Sequence, residues 1–336
     1  MKVPLALRRI RPAEALIAVW LAFVGAVSVV AGPPRAVGLA LGLLLFQPLG
    51  LILLVTLGAY LVELTLMAGR KAAATVAAAA REASVLPDLS FAGERRIVGS
   101  ALAFLRDCFP LYVSTLLYPA TDELVFKLRG LHTADASLIR WDDRLFGGQA
   151  SVWLERFVSP GLTDVLSLCY FLHVVLVVAV LMALHFAASR RLFVEAMQGV
   201  VTMMVVGLAL YVLVPAVGPK YTLAAVYTRG LNGGAITDVN AVVMEALRAT
   251  RDVFPSLHVA LSGLLLAYAW RANRVLGLVL VPLVAGNWVS TVYLRYHYLV
   301  DIVAGAVLIP LVYVAVHRWM EGWWTLNAPA QGERAA

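Results

Sequence analysis

Eight stretches of the chain are apolar for long enough, or nearly so, to cross a bilayer: 15–31, 37–62, 97–118, 166–188, 194–215, 256–270, 275–293 and 298–316. A helix rises about 1.5 Å per residue, so about 20 apolar residues cover the hydrocarbon core. The sixth stretch reaches that length only by borrowing residues before Ser256. Hydrophobic residues make up 62% of the chain and charged residues 14%, against about 45–50% and 25% in soluble domains. A soluble sphere could not hide that much apolar surface, and disorder, collagen and coiled coil are excluded on the same ground. The expected fold is all-α, a polytopic membrane helix bundle of about eight spans.

Charge placement orients the bundle. With the N-terminus inside, 15 of the 27 basic residues fall in inner segments, and the turns at Arg190–Arg191 and 271–274 carry no acid. Positive residues favour the cytoplasmic side, so both termini are expected there. The net charge of +7 is read as topology, with the membrane as partner and no nucleic acid. The first stretch, with basic Arg8, Arg9 and Arg11 before it, is read as a retained anchor: its apolar run is long for a signal peptide, and no small-x-small site precedes Gly32. Two outer segments, 119–167 and 216–255, are long, whereas the later inner connections are a few residues. The chemistry is expected on that elaborate face. The inner loop 70–96 holds an alanine run read as a surface helix. Adjacent Arg106 and Asp107 inside the third stretch are read as a structural polar network. Cys108 and Cys169 lie in apolar runs and form no disulfide framework or metal spacing. The acid pair Asp142–Asp143 is read as loop or helix-start chemistry rather than a metal site.

Three polar clusters sit at the outer ends of these stretches. In Phe254-Pro255-Ser256-Leu257-His258, Pro255 suits a first helical position. Ser256 and the free amides of that turn would form an anion site, with His258 beside it. In His297-Tyr298-Leu299-Val300-Asp301 the i, i+4 spacing puts both side chains on one helix face. Asp301 can then fix the imidazole tautomer and leave the other nitrogen as a nucleophile or base. Lys220, Arg295 and Ser290 supply cation and hydroxyl, which phosphoryl transfer requires around the equatorial oxygens. Tyr170 and His173 at the outer end of the fourth stretch, and Tyr221 beside Lys220, are expected to line the pocket.

Pro-Ser-x-His followed by Ser290-x6-His297-x3-Asp301 resembles the type 2 phosphatidic acid phosphatase superfamily. The fuller wording, Phe254 to Ala260 with Ser290 to Asp301, is similar to the branch containing inositol phosphorylceramide synthases. The motif matches cover 218–301. The resemblance implies a six-span catalytic core over 97–317, preceded by two added spans and a linker over 1–96 and followed by a tail over 318–336. It implies His297 as nucleophile, Asp301 as its orienting group, His258 as the proton donor to the leaving oxygen, and Ser256 with its neighbouring amides as phosphate ligands. It also implies no metal and no cofactor. Two departures stand out: Lys220 is followed by Tyr227 and Thr228 where the superfamily has Arg-Pro, and Thr291 replaces the arginine after the third-motif serine. Arg295 is expected to supply that charge from the next turn.

The expected activity is a lipid phosphotransferase that takes a phosphate-containing headgroup from a lipid phosphate donor and passes it to a lipid or polyol alcohol. With water as acceptor, the same chemistry makes a lipid phosphate phosphatase acting on phosphatidic acid or polyprenyl phosphates and pyrophosphates. A transporter would place its charges at mid-span or in broken helices, which this sequence does not. Residue usage reads as bacterial, with the protein in the inner membrane and its active site facing the periplasm.

Overall fold

The computed structural model of the chain describes residues 10–31, 92–246 and 251–327, with side chains at 10–27, 103–115, 117–244 and 251–327. The expected span 37–62 lies outside these residues, as does the inner loop 70–96 except for 92–96, which already belong to a helix. Among the described residues there is no β-strand, only an isolated parallel bridge between Ala216 and Asp252.

The helices are α1 (Pro12–Ala31), α2 (Ala92–Arg129), α3 (Asp135–Phe146), α4 (Ala150–Leu154), α5 (Pro160–Ala187), α6 (Arg190–Leu213), α7 (Pro219–Thr222), α8 (Ala235–Ala246), α9 (Leu257–Ala272), α10 (Arg274–Tyr293) and α11 (Leu299–Leu326). Four of them, α5, α6, α10 and α11, are long and apolar enough to cross a membrane, which marks the chain as an integral membrane protein. α1 and α9 are apolar but shorter. α9 has 16 residues, a length of about 24 Å. The residues before Ser256 do not extend it. Asp252 pairs with Ala216, and the Ser256 N–H is taken by the Asp301 carbonyl at 3.1 Å, so this stretch runs as a non-helical strap.

α9 lies at the centre, against α5, α6, α10 and α11. Its buried face is closely packed: Leu257, Ala260, Leu264, Leu265 and Tyr268 all join the main core. At the end away from the site, Asp107 of α2 is fully buried and accepts from Arg11 Nη1 at 2.5 Å and from Arg190. One carboxylate thus ties the entry to α1 and the first turn of α6 to α2. Neighbouring Arg106 points elsewhere, 3.6 Å from Glu14. Glu195 of α6 similarly holds Arg271 at 2.6 Å and His317 at 3.0 Å. The Asp107 network is the structural polar role expected of the Arg106–Asp107 pair.

The two segments expected to be outer are built largely from short helices and from a continuation of α2. α2 passes through Pro110 and Pro119 and ends at Arg129, beyond the expected boundary at Tyr118. Hydroxyls of Ser114, Thr115 and Thr121 each bond a carbonyl about one turn back, the kind of compensation that lets a membrane helix carry proline. Beyond α2, four carboxylates hold main-chain amides far away in sequence. Asp135 accepts from Val217 N at 3.0 Å and Gly218 N at 2.9 Å. Asp142 accepts from Leu299 N at 2.9 Å and Val300 N at 2.8 Å. Glu155 accepts from Thr228 N at 2.7 Å and from Arg229 N. Asp164 accepts from Gly234 N at 2.8 Å and Thr237 N at 3.0 Å. Carboxylates placed on amides at helix starts satisfy orphan donors and complement the helix dipole. Asp142 therefore does serve helix-start chemistry, but for α11 rather than for its own helix.

Candidate active site

His297 sits on the short link between α10 and α11. α10 ends when Leu294 N bonds Ser290 O at 2.9 Å, and Tyr296 N and His297 N both bond Thr291 O, at 3.0 and 3.1 Å. The reversal is made by Arg295 with φ of 66°, a left-handed position that usually selects glycine. Arg295 is held there by its side chain: Nη2 donates to Arg229 O at 2.6 Å and to Glu155 Oε1 at 3.3 Å, and the guanidinium lies 3.8 Å from the Tyr227 ring centroid. Burial alone would raise the Glu155 carboxyl, but the amides of Arg229 and Thr228 and the charge of Arg295 outweigh it and hold the group low. The structure thus brings Arg295 to Glu155 and Tyr227.

Asp301, in the first turn of α11, joins the two motif segments. Its Oδ2 accepts from Tyr298 N at 2.8 Å and lies 3.5 Å from His297 Nδ1, while its backbone carbonyl accepts from Ser256 N. The histidine–aspartate distance is longer than a hydrogen bond, and His297 Nδ1 and Asp301 Oδ1 both have no hydrogen-bond partner. Catalytic pairs are often this long before substrate binds. Gly305, one turn on, allows the approach: a Cβ there would come 2.6 Å from the Ser256 carbonyl oxygen.

Ser256 is the N-cap of α9. Pro255 stands one residue before that cap, not at the first helical position expected of it, and the Phe254–Pro255 bond is cis. The Ser256 hydroxyl is fully buried and bonds no protein group, so it does not cap the helix itself. One turn-start amide, that of Ser256, is occupied by Asp301 and leaves the expected anion site. His258 follows in the first turn of α9, its ring centroid 5.9 Å from that of His297 with the planes at 63°. Tyr170 stacks on His258 at 4.5 Å, and His173 meets it at 4.5 Å from the other helix-α5 turn. His173 Nδ1 also has no partner.

The remaining expected residues are more dispersed. Lys220 is brought near by Gly218, whose φ of 90° and 2.6 Å Cβ clearance to the Tyr296 carbonyl exclude a side chain. Lys220 Nζ lies 5.3 Å from the Tyr296 ring centroid and 5.7 Å from that of Tyr221. Tyr296 in turn contacts Tyr170 at 4.7 Å. Ser290 is fully buried, and its hydroxyl donates to Asn287 O at 2.6 Å within α10.

Four groups were not singled out from sequence. Asp252, on the strap before α9, is hydrogen-bonded by the Tyr118 hydroxyl and lies within Coulombic reach of His297, Tyr170 and Tyr211. Tyr118 and Tyr211 meet edge to face at 6.2 Å. Tyr296, immediately before His297, is near both Lys220 and Tyr170. The only signals for these were an acid four residues before Ser256 and an aromatic next to the motif histidine.

Burial pushes His297 down to about 4, against the opposing pull of Asp252 and a hydrogen bond to the Val253 backbone. Burial pushes Asp252 up to about 6, with the Tyr118 hydroxyl and His297 acting the other way. At neutral pH the site therefore presents an uncharged imidazole, as a nucleophile must be. Among the described residues no cluster of His, Cys, Asp and Glu is arranged to hold a metal ion. A largely apolar cavity of about 340 Å³ lies between α3 and the strap, lined by Ala134, Ser137, Leu138, Trp141, Val214, Phe254 and Val300. Its lining suits hydrocarbon, not phosphate.

The geometry thus sets two imidazoles edge to face, one with a carboxylate 3.5 Å away and the other in the first turn of a helix whose N-cap serine has an unpartnered hydroxyl. No curated protein and no solved structure matches the chain. A family model described as PAP2 superfamily matches residues 136–315, more than half of the chain and the whole span from α3 to most of α11, with both motif segments inside it. On that match the chain belongs to the PAP2 superfamily.

Proposed function

We propose that the protein is a membrane lipid phosphotransferase of the inositol phosphorylceramide synthase kind, moving a phosphate-containing headgroup at the outer leaflet through a phosphohistidine. Membership of the superfamily fits a phosphatase or phosphotransferase. The observation that carries the reading is the opposed pair His258 and His297, with Asp301 behind the second.

In this reading a His297 nitrogen attacks the phosphorus of a phosphodiester lipid. The bond from phosphorus to the diacylglycerol oxygen breaks, and His258 delivers a proton to that oxygen. The headgroup phosphate, its second ester intact, is then bonded to His297. An acceptor hydroxyl displaces it, giving its proton to His258 and restoring His297. Asp301 orients His297 and offsets the positive charge on the phosphorylated ring. Ser256, with its buried free hydroxyl, and Lys220 are the phosphate ligands that the surroundings favour. Ser290 acts through the end of α10, and Arg295 through the shape of the link. Tyr170, His173 and Tyr221 wall the pocket. The site faces the periplasm of a bacterial inner membrane, with both termini inside.

The test is incubation of the purified protein with a panel of labelled phospholipids, with and without lipid alcohols or polyols. A new phospholipid formed only when alcohol is present supports transfer. Free phosphate from phosphatidic acid or polyprenyl phosphates, unaffected by alcohol, makes the protein a lipid phosphate phosphatase instead.

A further inference from the structure

Two carboxyl groups, not one, stand at His297. Asp301 backs its Nδ1. Asp252 approaches from the strap, fixed by its bridge to Ala216 and by the hydroxyl of Tyr118. Its charge reaches His297 and Tyr170, and Tyr170 stacks on His258. Asp252 therefore stands on the His297 side of the site. The other ionisable groups acting on it are Tyr118, His297 and Asp122.

Among the described residues, positive charge near His297 is sparse. The Arg-Pro pair and the third-motif arginine that the resemblance leads one to expect are Tyr227, Thr228 and Thr291. The guanidinium of Arg295 is held by Glu155 and Arg229. Arg251 lies over Phe126 at 4.8 Å. Lys220, the phosphate ligand named above, is the one nearby cation left among the described residues, 5.3 Å from the Tyr296 ring centroid. An incoming phosphomonoester carries nearly two negative charges at neutral pH, because its second pKa is about 6, while a phosphodiester carries one. In a buried site an extra like charge within several Å of a carboxylate is strongly unfavourable.

We propose that Asp252 is the specificity-determining residue of the site, its carboxylate rejecting dianionic phosphomonoesters and leaving monoanionic phosphodiesters as donors. This rests on the phosphotransfer reading above. It assigns the donor class to one residue that belongs to neither the Pro-Ser-x-His nor the Ser-x6-His-x3-Asp segment.

The experiment compares phosphatidic acid and phosphatidylinositol with identical short acyl chains at pH 7.5, using the full chain in detergent and reading diacylglycerol release, which both donors give. The wild type is expected to favour the diester. Asp252→Asn is expected to lower the diester-to-monoester ratio of kcat/KM by about tenfold or more, the scale of one nearby charge. Asp252→Glu is expected to keep the wild-type preference. A substitution that merely disturbs folding lowers both activities and leaves the ratio unchanged, so an unchanged ratio in Asp252→Asn overturns the proposal. A wild type that prefers phosphatidic acid overturns it too. Release from neither donor instead removes the phosphotransfer reading, and this inference with it.

Discussion

Asp142 and Val300 stand 158 positions apart in sequence, yet the carboxylate of the first accepts the main-chain N–H of the second at 2.8 Å. Its other oxygen takes the Leu299 N–H, so the start of α11 is held from the outer segment one residue before Asp301. Burial raises the Asp142 carboxyl and those two amides lower it, so the group is under opposing demands that its partners only partly meet.

Removing that grip should both destabilise the fold and misplace Asp301. Asp142→Ala is expected to cost about 1–2 kcal/mol, the usual worth of a carboxylate on helix-start amides, and to lower turnover more than it lowers substrate affinity. Thermal unfolding in detergent and a split of kcat from KM check this. Unchanged kcat would place Asp142 outside the site's support.

His297→Ala should abolish any covalent phosphoprotein, because no nucleophile remains. His258→Ala should lower turnover by about 10²–10⁴-fold, the contribution of a general acid–base. It should still accumulate label from a donor with a nitrophenol leaving group, which needs little protonation. Acid-labile, base-stable label on the quenched protein is the measurement. Label kept in His297→Ala and lost in His258→Ala would reverse the two roles.

The pH response follows from the direction in which His297 is shifted. A pKa near 4, below the ordinary 6.5, means the neutral nucleophile persists as pH falls and disappears only through about 4. Labelling by an activated phosphodiester should therefore continue at pH 5, where an ordinary histidine would be mostly protonated. A loss of labelling centred on pH 6.5 would show that burial does not govern this ring.

Asp252 bears on stability with the opposite sign. Its folded-state value of about 6 lies above the ordinary 3.8, so the proton is bound more tightly in the folded protein. The stability it confers is full below about 4 and is lost as pH rises through 6. Asp252→Asn should flatten that slope, raising the unfolding midpoint relative to the wild type at pH 7.5 more than at pH 5. Equal shifts at both values would exclude the carboxyl as the cause.

Gly305→Ala tests the seam between α9 and α11. A Cβ at this position would meet the Ser256 carbonyl oxygen at 2.6 Å, and backbone cannot swing aside as a flexible side chain can. The helices must separate, at a cost of about 1–3 kcal/mol, and the Asp301–Ser256 link should open with them. Activity should fall further than the loss of folded protein accounts for, as read by activity per folded molecule.

Much of the bundle was legible because hydrophobic runs need no distant partner to be recognised. Stretches such as 166–188 and 275–293 coincide with α5 and α10. That His258, His297 and Asp301 lie close together was legible from the motif spacing, but the shared helix face expected of the last two is not what joins them: His297 stands on the link before α11 and meets Asp301 at 3.5 Å from there. The misses share a cause. Pro119 does not end α2, and whether a proline breaks a membrane helix depends on what surrounds it. Pro255 lies outside α9 because the strap is claimed by Ala216 and Asp301, contacts across tens of residues. The partner of Arg295 is Glu155, 140 positions away, so the sequence around the motif gives no hint that its charge is engaged. Asp252 shows no periodicity and belongs to no motif. Only the packing of Tyr118 and His297 around it reveals its place.

The four outer carboxylates grip backbone amides, and an amide is the same at every residue except proline. Asp135, Glu155 and Asp164 therefore guide the course of the segment from Val217 to Thr237 without reading what its residues are. Exposed positions along that course, Val226 among them, can be exchanged while the path is kept. Evolution, or an engineer, can rewrite the rim above the histidines one side chain at a time and leave the frame that aligns them untouched.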